Sequence, residues 1–237
     1  MWLKAPTDIE NIKLSPNEVH IWRENLGNVE SLLEQFKQIL SEDELVRAKR
    51  FHFEQHRQRF IAGRGILRSI LGRYLNIQSS KIQFGYEPRG KPFLNQNYHP
   101  NLSFNLSHSQ DFALYAISLT DSIGVDLECF NSTTDVLSLA QRFFLPSEFT
   151  TIKSAPPQQQ QQLFFRYWTC KEAYLKATGT GLKDLQKVEI FLTPEQPARL
   201  NLPGEWNLVE IEPFTNCAAA IAIPTQNLQL KYWDFGL

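Results

Sequence analysis

The chain has 237 residues, 42% hydrophobic and 21% charged, with a formal net charge of −1. This is ordinary globular composition, enough for one large domain or two small ones, and near-neutral charge gives no global field for nucleic acid or an anionic membrane. No apolar run approaches the roughly 18 residues of a membrane span, and the opening MWLKAPTDIENIKLSPNEVHIW lacks the apolar core of a signal peptide, so a cytoplasmic protein is expected.

EVHIW (18–22) predicts a first strand. NVESLLEQFKQIL (28–40) places Leu32, Leu33, Phe36, Ile39 and Leu40 at helical spacing. Ser41 lies three residues before Glu44, a capping box that opens a second helix. A long helix follows over about 55–75, with Phe60, Leu67, Ile70, Leu71 and Tyr74 on its apolar side. Arg57, Arg64 and Arg68 form a stripe along one edge of that side, and Gly63, Gly65 and Gly72 weaken the helix. EPRGKPFL (87–94) is a turn, and residues 101–130 read as three short strands joined by SHSQD and TDS.

Residues 135–149 look helical, and SAPPQQQQQ (154–162) reads as an exposed low-complexity loop. FFRYWTCKEAYLKATGTGL (164–182) is an aromatic, amphipathic helix with charges in its middle and a Gly-x-Gly end. Strands are expected in KVEIFL, WNLVEIEPF (206–214), CAAAIAI (217–223) and LQLKYW (228–233). The order of elements predicts an α+β protein of two similar halves, 1–120 and 121–237. Cys129, Cys170 and Cys217 are widely spaced and odd in number, without a Cys-x-x-Cys. That spacing argues against a disulfide framework or zinc site and suits a reducing compartment.

The chemistry concentrates in three places. From Arg47 to Lys91 there are eleven Lys or Arg and two acids, Glu54 and Glu87. Such an excess is either an anion site or a solvated helix face. In IGVDLE (123–128) strand alternation puts Asp126 and Glu128 on one face, ~7 Å apart, where they repel and resist ionisation. A hard cation such as Mg²⁺ would reverse that balance, with Glu172 adding a third carboxylate; the plain alternative is solvated acids on a sheet edge. Trp168, Glu172 and Lys176 form one stripe of the aromatic helix, so Glu172 and Lys176 suit a site holding metal and phosphate together. Lys171 points elsewhere and is a candidate for another phosphate oxygen. His108 falls in a strand-to-strand turn, where rigid sheets present functional groups.

Taken together, FNLSHS (104–109), IGVDLE (123–128), RFF with SEF (142–149) and WTCKEAYLKATGTGL (168–182) resemble a 4′-phosphopantetheinyl transferase of the Sfp type. Weaker matches are RGKP (89–92) and HRQRFIAGRGILR (56–68), and the resemblance spans about residues 41–223. It implies two similar α/β halves in pseudo-twofold arrangement with coenzyme A and Mg²⁺ in the cleft between them. It implies a monomeric enzyme moving 4′-phosphopantetheine to a serine of an apo acyl or peptidyl carrier protein and releasing 3′,5′-ADP. By resemblance, Asp126, Glu128 and Glu172 match metal ligands and Lys176 the lysine on the pyrophosphate. His108 and Arg59 match phosphate-binding groups, Arg47 a cation near the 3′-phosphate, and Gly90, Lys91 and Pro92 a turn beside adenine. Arg64 and Lys171 join the coenzyme-binding set. Glu44 stands where some relatives carry lysine, so the 3′-phosphate grip is expected to differ there. Glu172 is the family's favoured base for the carrier serine, with Glu148 or a metal-bound water as alternatives.

Two rival readings stand beside this one. Cys170, next to Lys171 and Glu172, would be the nucleophile of a cysteine enzyme, but no histidine is placed as its base. A non-catalytic coenzyme- or carrier-binding protein on the same fold would have no need of the intact carboxylates. GTG (179–181) and GRG (63–65) lack the glycine spacing of a dinucleotide or P-loop fingerprint.

Overall fold

The computed structural model describes residues 1–5, 12–95, 101–201 and 204–237. The first half builds a sheet from β1 (Leu3–Lys4), β2 (Glu18–Asn25), β5 (Ser103–Ser109) and β6 (Phe112–Ser118). The last strand of the chain, β12 (Gln229–Asp234), inserts between β1 and β2 to give the order β1-β12-β2-β6-β5. The C-terminal end therefore completes the sheet of the first half. On that sheet lie α1 (Leu33–Ile39), α2 (Glu42–Lys49) and the 22-residue α3 (Glu54–Leu75). The capping box at Ser41 is present as expected. The glycines of α3 do not break it. Gly65 is where the Phe36 ring lies against the helix, since a Cβ there would sit 2.3 Å from the ring.

A small hairpin of β3 (Phe84–Tyr86) and β4 (Pro92–Leu94) carries the RGKP turn. The second half has β7 (Gly124–Cys129), α4 (Val136–Phe143), α5 (Pro146–Ser154) and α6 (Pro157–Thr178), then the hairpin β8 (Ile190–Thr193) and β9 (Gln196–Leu200). β10 (Trp206–Ile211) and β11 (Cys217–Pro224) join β7 in an antiparallel sheet, order β10-β11-β7. The glutamine run is not a loop. It forms the first turns of α6, because Pro157 suits the first helical position and glutamine is a good helix former.

The two sheets bury a shared core. Val19, Ile21, Leu114 and Ala116 from one meet Val125, Leu127, Ala219 and Ile221 from the other. This fixes the alternation of β7: Val125 and Leu127 face the inter-sheet core, so Asp126 and Glu128 face the opposite side, toward α6. The fold is thus two halves of similar build, each with a long helix on a sheet. Cys129 and Cys217 are register partners across the β7–β11 ladder and form a disulfide, 88 residues apart. This overturns the expectation of no disulfide. Sequence spacing cannot show a pairing that only an antiparallel ladder creates. Among the described residues, no helix is long and apolar enough to cross a membrane.

Candidate active site

α6 reaches the edge of the second sheet at Gly124. A Cβ at that position would lie 1.9 Å from the Ala173 carbonyl oxygen, so only glycine allows the helix to seat there. That seating brings Lys176 onto β7. Its ammonium donates to Asp126 Oδ1 at 2.6 Å, Ser107 Oγ at 2.9 Å and the Val125 carbonyl at 3.2 Å. Asp126 is 3% exposed, and its Oδ2 is buried with no partner.

Ser107 also donates to Asp126 Oδ1 at 2.9 Å, and Ser109 donates to Glu128 Oε2 at 2.8 Å. Asn105 Oδ1 accepts from the Val125 N–H at 2.8 Å. Asn105, Ser107 and Ser109 alternate along β5, so one face of that strand stitches the first half to β7. From sequence His108 stands out in this segment and these three do not. Their signal was the N-x-S-x-S alternation, which gains meaning only once β5 is known to lie beside β7.

Glu172 stands one helical turn before Lys176. Burial, then the Asp126 charge, push its carboxyl up to about 7, with Glu128 adding to the rise and Lys176 opposing it. Burial and the Asp126 charge also raise Glu128. Two raised carboxylates beside Asp126, whose Oδ2 has no partner, form a set that a hard divalent cation would relieve. They are not a ready-made cage: among the described residues, no group of three such side chains is drawn together tightly enough to hold an ion.

These residues line one cavity of about 440 Å³, within the range of ligand pockets. Asp126, Glu128, Glu172 and Lys176 form one wall; Arg47, Arg59, Arg64, His108, Gly90 and Pro92 belong to the others. Arg59 donates to Asp111 Oδ1 at 2.9 Å through Nε and 2.5 Å through Nη2. Arg47 is exposed over the Phe60 ring. His108 is open at the cleft mouth, yet desolvation by the cleft walls, then the Lys176 and Arg59 charges, lower its pKa. Lys91 adjoins the cavity and ties the hairpin to α6 by donating to the Lys176 carbonyl at 2.6 Å. A larger cavity, about 1120 Å³, lies elsewhere beside Arg23, Phe112 and Phe214 and holds none of the predicted site residues.

Four expectations change in the folded chain. Lys171 faces away from the cavity. It is fully buried, pairs with Glu148 Oε2 at 2.8 Å, and donates to the Leu185 and Val188 carbonyls. Burial lowers its pKa. Glu148 is 1% exposed, and besides Lys171 it accepts from the Leu145 and Ile190 N–H groups. Neither residue lines the cavity; each is held in a buried pair away from it. Arg64 borders the cavity, but its guanidinium is bonded to Glu44 at 2.6 Å and to the Tyr86 hydroxyl at 3.0 Å. Glu44 also takes Arg68 at 2.6 Å while 0% exposed, so it neutralises two of the arginines that sequence counted as free positive charge. Cys170 is buried and its thiol is pushed well up by desolvation, which removes the cysteine-nucleophile reading.

Each half of the chain matches a known family. The 4′-phosphopantetheinyl transferase superfamily matches residues 122–222. The N-terminal region of 4′-phosphopantetheinyl transferases matches residues 20–120. The chain is 51% identical to the 4′-phosphopantetheinyl transferase HetI of Nostoc sp. (strain PCC 7120) over 235 residues, 99% of this chain and 98% of that one. It is 32% identical to the 4′-phosphopantetheinyl transferase psf-1 of Bacillus pumilus over 74% of each chain. It is 26% identical to the Sfp transferase of Bacillus subtilis over 81% of this chain and 86% of that one. A relative this similar over nearly the whole length, with a family match in each half, places the chain in the 4′-phosphopantetheinyl transferase superfamily.

Proposed function

We propose that this protein transfers 4′-phosphopantetheine from coenzyme A to a serine of an apo carrier protein, with 3′,5′-ADP as the leaving product. The observation that carries the reading is the meeting of Asp126, Glu128, Glu172 and Lys176 with Arg47, Arg59 and His108 around one cavity, in a chain of this family. The serine oxygen bonds to the phosphorus that bears pantetheine, and the bond from that phosphorus to the oxygen bridging to 3′,5′-ADP breaks. Glu172, held near 7, takes the serine proton. Lys176 offers its ammonium to the pyrophosphate, where charge grows on the leaving group. Arg47, Arg59 and His108 hold the nucleotide's phosphates.

The donor set suits Mg²⁺, which commonly takes one or two carboxylates and completes its shell with water and substrate phosphate. Asp126 and Glu128 would hold it, the buried unpartnered Asp126 Oδ2 supporting that reading, with Glu172 left uncoordinated as the base. When bound, it would neutralise pyrophosphate charge. A non-catalytic binding protein is not favoured, because it would keep three mutually repelling carboxylates without use. A monomeric state and a cytoplasmic location belong to this reading too, as what the family resemblance implies. The Cys129–Cys217 bond withdraws the cysteine argument for a reducing compartment.

The test is mass spectrometry of apo carrier proteins incubated with the protein, coenzyme A and Mg²⁺. The expected result is a gain of one phosphopantetheine on serine, lost in excess chelator. No gain on acyl or peptidyl carriers overturns the transferase reading; full transfer in chelator overturns the metal.

A further inference from the structure

Ser109 occupies the last position of β5, in the first half, yet both hydrogen bonds of its side chain go to β7 in the second. The Cys129 N–H donates to Ser109 Oγ at 3.0 Å, and the Ser109 hydroxyl donates to Glu128 Oε2 at 2.8 Å. A serine hydroxyl has one proton. With a lone pair already occupied by the Cys129 amide, that proton is committed to the Glu128 carboxylate. The next residue, Gln110, has φ +53 and donates to the Cys129 carbonyl at 3.5 Å. The β5–β6 turn therefore grips the end of β7 through both backbone groups of Cys129. Ser107 repeats the pattern two residues earlier, donating to Asp126. Each strand carboxylate is thus held at one oxygen by a hydroxyl from the other half.

We propose that Ser109 is a positioning residue: it fixes the Glu128 carboxylate in the orientation from which it binds a divalent cation. This rests on the reading of Glu128 as a metal ligand. The physical ground is that a ligating carboxylate held by an outer hydrogen bond loses less rotamer freedom on binding and cannot swing away. If so, the cation site is divided between the halves, with ligands from the second and orienting hydroxyls from the first.

The test is direct Mn²⁺ binding by calorimetry in the presence of coenzyme A, with the melting temperature recorded for every variant. Wild type, Ser109→Ala, Ser109→Thr and Glu128→Gln are compared. Ser109→Ala is expected to weaken Mn²⁺ roughly tenfold, the low end for loss of such an outer partner. Ser109→Thr, which keeps the hydroxyl, should stay within about threefold of wild type, and Glu128→Gln should bind at least as weakly as Ser109→Ala. A lower melting temperature for Ser109→Ala with unchanged Mn²⁺ affinity makes Ser109 merely structural and overturns the proposal. Equal weakening by Ala and Thr overturns the role of the hydroxyl. Wild-type affinity in Glu128→Gln instead overturns the metal reading beneath it. If Ser109→Ala does not fold, Ser109→Cys, of similar size and weaker donor strength, is judged by the same criteria.

Discussion

Glu172 shares its surroundings with two other carboxylates and one ammonium, and that company sets its proton. Its carboxyl ionises near 7 in the folded chain against about 4.3 in an unfolded one. The folded state therefore binds more protons between those values, and stability falls as pH rises across that window. Glu172→Gln removes this penalty. In metal-free protein the variant should be more stable than wild type by about 3–4 kcal/mol at pH 8, the gain shrinking toward zero near pH 4.5. Urea unfolding at the two pH values measures it, and a gain independent of pH would contradict the assignment. Transfer by Glu172→Gln should be lost at both. Arg59 tests the phosphate side. Its partner Asp111 is partly exposed, so the guanidinium can turn toward a phosphate. Arg59→Ala should weaken coenzyme A roughly tenfold to a hundredfold but dephospho-coenzyme A far less, as expected for one charge-assisted contact. Equal losses in a titration of both coenzymes would move Arg59 to the pyrophosphate or to a structural role.

At the scale of elements, the KEAYLK stretch of α6 presents two faces with opposite jobs. Glu172 and Lys176 face the cavity, while Lys171 is locked behind the helix against α5 and the segment leading to β8. Removing one member of a buried ion pair leaves the other uncompensated, at a cost of about 3–5 kcal/mol. Lys171→Met should lose that much stability in urea, and the double variant with Glu148→Gln should recover part of it. The folded fraction of Lys171→Met should keep its KM for coenzyme A; a large rise in KM with stability unchanged would return Lys171 to the phosphates. Helical periodicity showed that Lys171 and Lys176 point apart. It could not show which side met solvent, because both sides of α6 are covered.

Across the whole molecule, the halves are joined by the inter-sheet core, by the β5–β7 polar seam and by β12 returning to the first sheet. The Cys129–Cys217 bond ties β11 to the strand that bears the carboxylates. A disulfide closing so long a loop contributes on the order of 2–4 kcal/mol. Reduction, or Cys217→Ser, should therefore lower the melting temperature by about 5–15 °C. Three titratable thiols in the native, unreduced protein with no thermal shift on reduction would refute the bond.

Through the family resemblance the sequence offered Asp126, Glu128, Glu172 and Lys176 as candidate site residues; by itself it determined the α+β class, the two-half layout and most helices and strands, β1, β3, β4 and β9 excepted. Those are local properties: strand alternation and helical spacing decide which side chains share a face before anything is packed. Tertiary structure alone decided the rest. It paired Cys129 with Cys217, spent Arg64 and Arg68 on Glu44, buried Lys171 against Glu148, and set Ser107 and Ser109 on the carboxylates. Each of these joins residues distant in the chain, and a charge or hydroxyl has no fixed partner until folding brings one within hydrogen-bond reach.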